Sequence, residues 1–359
     1  MFLTWILAAT VFAPIAAQTG QTTEAPARWH NLASMPLEGQ GWTATKHRYD
    51  RLPAKAEGVV RAPVWSLAQD SAGMSYRFVT DAATIRARWR VRRPRLSLVH
   101  MPATGVSGLD LYVRNGGKWQ WIGVGRPDQV DSEQTLVSGI TRQKREYLLY
   151  LPLYNGVEQV EVGVPEGSAF EAAPTAGKKP VVFYGTSILQ GGCASRPGMA
   201  YPAIVSRMLD WPAINLGFSG NGKTEPEMAD LLAELDPAVY VMDSLPNLSP
   251  DEARDRVGPF VAKLRAAHPK TPIVLVENVT YTDSHTVDAR RAKAIEANRH
   301  LKTLYEKLKA SGDTAVYYIP TQSLFGADGE DTVDGVHPTD LGFLRMAQGI
   351  APVLRPLLK

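Results

Sequence analysis

Val181-Val182-Phe183-Tyr184-Gly185-Thr186-Ser187 is an apolar run that stops abruptly in Gly-Thr-Ser. Four β-branched or aromatic residues in succession predict a buried strand, and the glycine permits a sharp turn that leaves Ser187 at the strand's carboxyl end. Carboxy-terminal to it, strands alternate with helices. Further strands are expected at Ala213 to Leu216, Ala238 to Met242, Ile273 to Glu277 and Ala315 to Ile319. Thr224-Glu225-Pro226-Glu227 has capping-box spacing before a helix from Met228 to Leu235, and Ser249-Pro250-Asp251-Glu252 repeats it before one from Val257 to Ala267. A third long helix is expected from Val287 to Ala310, stopping near Gly312, and the last from Asp340 to Leu357. Such alternation implies a parallel sheet with helices on both faces, and ligands then bind beyond the carboxyl ends of the strands.

Upstream, from Trp29 to Phe170, strands and turns replace this pattern and no helical period is evident. Ile85-Arg86-Ala87-Arg88-Trp89-Arg90-Val91-Arg92 alternates apolar residues with arginine, as a strand with one buried and one basic face does. Ser75 to Val79, Leu109 to Val113, Trp119 to Val124, Glu146 to Leu151 and Val157 to Val162 are further strands, with a hairpin turn at Asn115-Gly116-Gly117. Many short strands at this spacing predict a β-sandwich or jelly roll over residues 25–170. Trp119 and Trp121 share a parity and so a face, suited either to core packing or to stacking on sugars. Residues 171–180, rich in Ala, Gly, Lys and Pro, read as a linker to a second domain over 181–359.

Lys and Arg number 39 against 36 Asp and Glu, a net charge of +3 that gives no reason to expect a nucleic-acid partner. Phe2 to Ala17 is apolar and closes on small residues, the pattern of a signal peptide with cleavage near Ala17. A periplasmic or secreted protein, free of the membrane after cleavage, is the expectation. Cys193 is the only cysteine, so no intramolecular disulfide can form, and its glycine-rich surroundings suggest a small buried side chain.

The loops after the predicted parallel strands carry the chemistry. Ser187 follows the first, Gly217-Phe218-Ser219-Gly220-Asn221-Gly222 the second, Asp243-Ser244-Leu245-Pro246-Asn247 the third and Asp334-Gly335-Val336-His337-Pro338 the fifth. A serine hydroxyl needs a base to take its proton, and histidine titrates in the right range. Asp334, three residues before His337, is placed to fix the tautomer that turns Nε2 to Ser187. The Ser187 and Gly220 N–H groups and the Asn247 amide would serve as oxyanion donors. The whole fits acyl transfer to water.

In this order, Ser, Gly, Asn and Asp-x-x-His resemble the four blocks of the SGNH, or GDSL-like, hydrolase superfamily, over about Lys179 to Lys359. Thr186 stands where the family has Asp, and Leu245-Pro246-Asn247 replaces Gly-x-Asn-Asp. Gly108-Leu109-Asp110-Leu111-Tyr112 is similar to the Gly-x-Asp-Leu-Tyr signature of a β-domain that precedes bacterial SGNH domains. The resemblance implies a three-layer, flavodoxin-like SGNH domain behind an all-β jelly-roll or sandwich domain. It also implies a serine esterase with Ser187 as nucleophile, His337 as base and Asp334 as orienter, working without a cofactor on a small-molecule or polysaccharide ester.

Arg196, Glu277 and His285 lie in neighbouring loops as candidates for substrate contact, with salt bridging the competing role for the first two. His30, His47, His100, His268, His285 and His300 show no metal-ligand spacing, so no metal site is predicted. The leading expectation is removal of small acyl groups, acetyl foremost, from carbohydrate. The alternatives are a lipase or thioesterase of the same superfamily and a non-catalytic carbohydrate-binding protein.

Overall fold

The computed structural model describes residues 26–175 and 177–358, so the apolar amino-terminal segment and its expected cleavage near Ala17 lie outside the described residues. Strands β1 (Ala27–Asn31), β2 (Ser75–Thr80), β3 (Ile85–Val91), β4 (Leu109–Asn115), β5 (Lys118–Gly125), β6 (Asp131–Val137), β7 (Arg145–Tyr150), β8 (Val157–Pro165) and β9 (Phe170–Ala172) build the first half. They form two antiparallel sheets, ordered β1-β8-β3-β6 and β5-β4-β7-β2-β9. Alternate residues from both sheets, among them Tyr76, Phe78, Trp89, Leu111, Leu149 and Val160, meet in one core. The Asn115-Gly116-Gly117 hairpin forms as expected, with φ of 55° and 78° at the two glycines.

Three strands had no clear sequence signal. β6 reads Asp-Ser-Glu-Gln-Thr-Leu-Val, and only Ser132 and Leu136 are buried, so its polar residues hide the alternation. The short edge strands β1 and β9 pair with β8 and β2, and β9 uses two residues of the stretch expected to be linker. The first half also holds helix, contrary to the reading of its sequence: α1 (Ala62–Ala68) and the single turn α2 (Ala103–Val106). Seven residues are too few to show a helical period. α1 packs Val64 and Ala68, together with Leu52, Ala56 and Val60, against Val182, Tyr184 and Leu216 of the second half.

In that half β10 (Val181–Gly185), β11 (Ala213–Gly217), β12 (Val239–Asp243), β13 (Ile273–Val276) and β14 (Val316–Ile319) form a parallel sheet ordered β11-β10-β12-β13-β14. The order reverses at β10, which puts the switch point at Ser187. Helices α3 (Ser187–Gln190), α4 (Tyr201–Leu209), α5 (Pro226–Leu232), α6 (Pro250–Ala267), α7 (Asp288–Ala310) and α8 (Asp340–Leu354) complete it. Val182, Tyr184, Tyr240 and Met242 bury one face of the sheet under α5, α6 and α7; Val181, Phe183, Val239 and Val241 bury the other under α4 and α8. Among the described residues no helix is long and apolar enough to cross a membrane.

The Ser249 capping box forms in full. The one expected at Thr224 does not: Glu225 occupies the cap position of α5, while Thr224 has φ of 54° and gives its N–H to the Tyr184 hydroxyl. Pro226 sets the start of that helix one residue later than the capping spacing requires. α4, which the sequence reading did not anticipate, carries a second contact between halves. Tyr112, Leu148 and Tyr150, on the face of the sandwich turned from its core, pack on Ala203 of α4.

Candidate active site

β10 ends on Gly185, where an atom added at the Cβ position would lie 2.2 Å from the Asp243 carbonyl oxygen, so glycine is required. Thr186 then caps α3, its hydroxyl accepting from the Ile188 N–H at 3.3 Å, so the turn expected at the glycine is made by a helix start. Ser187 opens the helix, 8% exposed, with Oγ 2.9 Å from His337 Nε2.

His337 is held by a loop shaped around one carboxylate. Asp334 Oδ2 lies 2.7 Å from His337 Nδ1, and Oδ1 accepts from the N–H groups of Val336 and His337 at 3.0 and 2.8 Å. Gly335, at φ +85°, supplies the left-handed residue that lets the loop close. Burial pushes the Asp334 carboxyl upward, but the bonds from the His337 backbone and ring and from Val336 outweigh it and hold the group below its ordinary value. Asp334 stays ionised and keeps Nδ1 protonated, so Nε2 is free to accept from Ser187.

In the loop after β11, Gly220 has φ +67°. Among the described residues the N–H groups of Ser187 and Gly220 have no acceptor. The Asn247 amide rests on the same loop, its oxygen best placed to accept from the Asn221 and Gly222 N–H groups at 3.1 Å each. That orientation leaves its amino group as a donor. These groups meet at the carboxyl edge of the parallel sheet, where the sequence placed them.

The remaining candidates are employed elsewhere. Arg196 donates to Asp110 Oδ2 at 2.8 Å and to the Tyr112 hydroxyl at 2.5 Å, and lies 5.3 Å from the centroid of the Trp121 ring. It ties the loop after Ser187 to the Gly-Leu-Asp-Leu-Tyr strand, a structural bond in place of the expected substrate contact. Glu277 accepts from the Tyr318 hydroxyl and the Thr321 N–H and is likewise structural. His285 turns Nδ1 to its own loop's Thr282 carbonyl at 2.9 Å. Trp119 lies beneath Arg114 at 4.6 Å, whereas Trp121 gives its indole N–H to Asp110 at 2.9 Å and keeps 49% exposure, so part of its ring stays open to solvent.

Several residues that sequence reading missed support the site. Arg51, fully buried, donates to the carbonyls of Gly217 at 2.6 Å, Leu67 at 2.7 Å, Asp70 at 3.1 Å and Asn215 at 3.2 Å. Burial lowers its pKa to about 9, which still leaves a cation at neutral pH. Gln190 donates to Asp70 Oδ2 at 2.9 Å and to the Leu153 carbonyl at 3.1 Å while accepting from the Ser219 N–H at 3.0 Å. Tyr154 donates to the Ser187 carbonyl at 3.2 Å. Buried polar groups with this many partners fix loops in one arrangement. The first half therefore buttresses the loops that carry Ser187 and Gly220.

Two further side chains close on the histidine. His100, from the segment between β3 and α2, has its ring centroid 5.6 Å from that of His337. Cys193 is buried at φ +75°, and burial, with the Asp334 charge adding to it, pushes its thiol up to about 12. A thiol so raised is no rival nucleophile to Ser187. A separate cavity of about 460 Å³ lies between the halves, bordered by Glu38, Arg77, Trp119, Arg207 and Asp210, and does not include Ser187.

Comparison with known proteins finds relatives for both halves of the chain. The profile of the GDSL-like lipase/acylhydrolase family matches residues 178–355, and GxDLY, the N-terminus of SGNH-hydrolase-type esterases, matches residues 27–170. A Bacteroides ovatus protein assigned to the GDSL-like lipases is 36% identical, with a TM-score of 0.88 over 93% of this chain and 99% of that one. The salicylyl-acyltransferase SsfX3 from a tetracycline biosynthetic pathway, 18% identical, shares the fold at a TM-score of 0.76 over 93% and 99% of the two chains. An acetyl xylan esterase from Butyrivibrio proteoclasticus, 12% identical, shares it at 0.54 over 92% and 98%. No functionally curated protein matches the sequence.

Proposed function

The chain belongs to the GDSL-like lipase/acylhydrolase family and is a carboxylic ester hydrolase, and from that premise we propose that Ser187, His337 and Asp334 remove small acyl groups, acetyl foremost, from carbohydrate. The observation that carries the catalytic part is the continuous chain from Ser187 Oγ through His337 to Asp334, at 2.9 and 2.7 Å. His337 Nε2 takes the Ser187 proton as Oγ attacks the ester carbonyl. The oxyanion receives the N–H groups of Ser187 and Gly220 and the Asn247 amide, each such donor being worth about 3 kcal/mol in the transition state. His337 returns the proton to the leaving alcohol, and water repeats the cycle on the acyl-enzyme.

The substrate part rests on other support. The esterases that share the fold include one acting on acetyl xylan. Export, expected from Phe2 to Ala17, would bring the enzyme to such polymers. Ser187→Ala should lower kcat/KM on an acetyl ester by on the order of 10⁴-fold or more. Equal activity in the two proteins would reject the nucleophile. Acetate release from acetylated polysaccharides, compared with hydrolysis of long-chain acyl esters, tests the substrate; preference for the long chains would reject it.

A further inference from the structure

Around His337 the fold gathers a donor set that no sequence spacing displays. His100, Cys193, Asp334 and His337 each offer one ligand atom, and these atoms all lie within 4.8 Å of one another. They come from separate places: a loop of the sandwich, the turn after α3, and both ends of the Asp334-x-x-His337 loop. We propose that these four side chains form a binding site for a thiophilic divalent cation of the Zn²⁺ type, and that its occupancy switches off the serine chemistry. The switching part rests on the catalytic reading above; the site itself does not.

The donor set suits the ion. Two imidazoles, one thiolate and one carboxylate make a four-coordinate N₂SO shell of the kind Zn²⁺ accepts, and a thiolate selects against Mg²⁺ and Ca²⁺. Four donors within 4.8 Å of one another surround a centre about 3 Å from each, so reaching Zn–N and Zn–S lengths of about 2.0–2.3 Å asks each side chain to move by about 1 Å. Thiolate and carboxylate together balance the charge of the ion. His100 and His337 are half-buried and Asp334 is exposed, which leaves a path from solvent, while Cys193 forms the buried floor. The cysteine sits at φ +75°, a backbone that side-chain-bearing residues rarely adopt and that the surrounding fold imposes.

Binding and catalysis compete for one imidazole. A cation on His337 Nε2 removes the base outright. On Nδ1 it replaces the proton now shared with Asp334 and withdraws electron density from the ring, leaving Nε2 a poor acceptor for the Ser187 proton. In either case the Cys193 S–H proton goes to solvent, joined on the second route by the Nδ1 proton. No electron transfer or other reactant is involved.

The test uses the full chain after treatment with a chelator. Co²⁺ added to wild type should give a thiolate-to-cobalt charge-transfer band at one equivalent, absent in Cys193→Ser; no such band in wild type overturns the site. Zn²⁺ at low micromolar concentration should inhibit acetyl-ester hydrolysis by about tenfold or more, reversibly with chelator. Outer-sphere partners alone are worth about 10–100-fold in affinity, so Cys193→Ser should need at least ~10-fold more Zn²⁺ for the same fractional inhibition. Equal sensitivity in the two proteins overturns the proposal. Should Cys193→Ser fail to fold, His100→Ala keeps the thiol and removes one donor; unchanged Co²⁺ affinity by equilibrium dialysis overturns the assignment. A chain that binds Co²⁺ with the band yet hydrolyses no ester supports the site and rejects the catalytic reading, whereas an active chain that binds none rejects the site alone.

Discussion

β3 and β4 begin from the same pattern, apolar residues alternating with polar ones, and end in opposite environments. Along β3, Ile85, Ala87, Trp89 and Val91 enter the sandwich core while Arg86, Arg88 and Arg90 lie on the outer face, paired with Glu133, Glu158, Asp131 and the buried Glu161. Along β4, Leu109 and Leu111 enter that core, but Asp110 and Tyr112 are buried too, against the loop that follows Ser187. An alternating strand marks one buried face and says nothing of the other. What lies across the second face decides whether its polar residues are a solvated surface or a joint between domains.

Removing Asp110 should separate the two strands most sharply. Its carboxylate is fully buried and holds Arg196, the Gly198 N–H and the Trp121 indole. Burial pushes the Asp110 carboxyl up despite Arg196, whereas Arg196, partly exposed, is held above its ordinary value by Asp110 and Tyr112 against its own burial. Asp110→Ala strands a largely buried guanidinium, so stability measured by urea unfolding should fall by about 3 kcal/mol. Activity should fall with it as the loop beside Ser187 loosens. A loss below about 0.5 kcal/mol would put β4 in the class of β3.

Asp243 extends the contrast to a buried carboxyl with no cation. At the end of β12 it accepts, among the described residues, only the Tyr201 hydroxyl, at 2.8 Å, and burial pushes it up to about 7. The folded protein then keeps a proton that the unfolded chain releases between about pH 4 and pH 7, so stability falls as pH rises through that window and levels above it. The slope contributed is at most about 1.4 kcal/mol per pH unit. Asp243→Asn, which can still accept from Tyr201, should flatten unfolding midpoints over this range; an unchanged slope would mean that the carboxyl ionises in place.

On β3 the expected effect is smallest. Arg90 pairs with Asp131 and Glu158 at 48% side-chain exposure, and both carboxylates also reach water. Arg90→Ala should change stability by less than about 1 kcal/mol and leave kcat/KM unchanged. A larger loss, or any effect on activity, would erase the distinction between the two strands.

The legible parts of this molecule were those written over short stretches of chain. Short runs rich in apolar residues located all five parallel strands, because a strand buried on both faces leaves little room for polar side chains; Asn215 of β11 is buried with its amide bonded to Leu189 and Gly217. Asp334-x-x-His337 carried its geometry in its spacing, since one carboxylate can grip both backbone and ring of a residue three positions on. β6 and α1 were hidden, the first by polar residues on its outer face and the second by its two-turn length.

By itself the sequence determined the alternation of elements, the sheet edge where Ser187 stands and the loops that converge there. Tertiary structure alone decided what surrounds them: Arg51 gripping the Gly217 carbonyl across 166 residues, Gln190 joining Asp70 to Ser219, and His100 and Cys193 closing on His337. Local order follows from periodicity and turn chemistry, which any short window of sequence contains. Contacts between distant segments depend on how whole layers pack, and a lone His100 or Cys193 takes on meaning only when that packing brings it beside its partners.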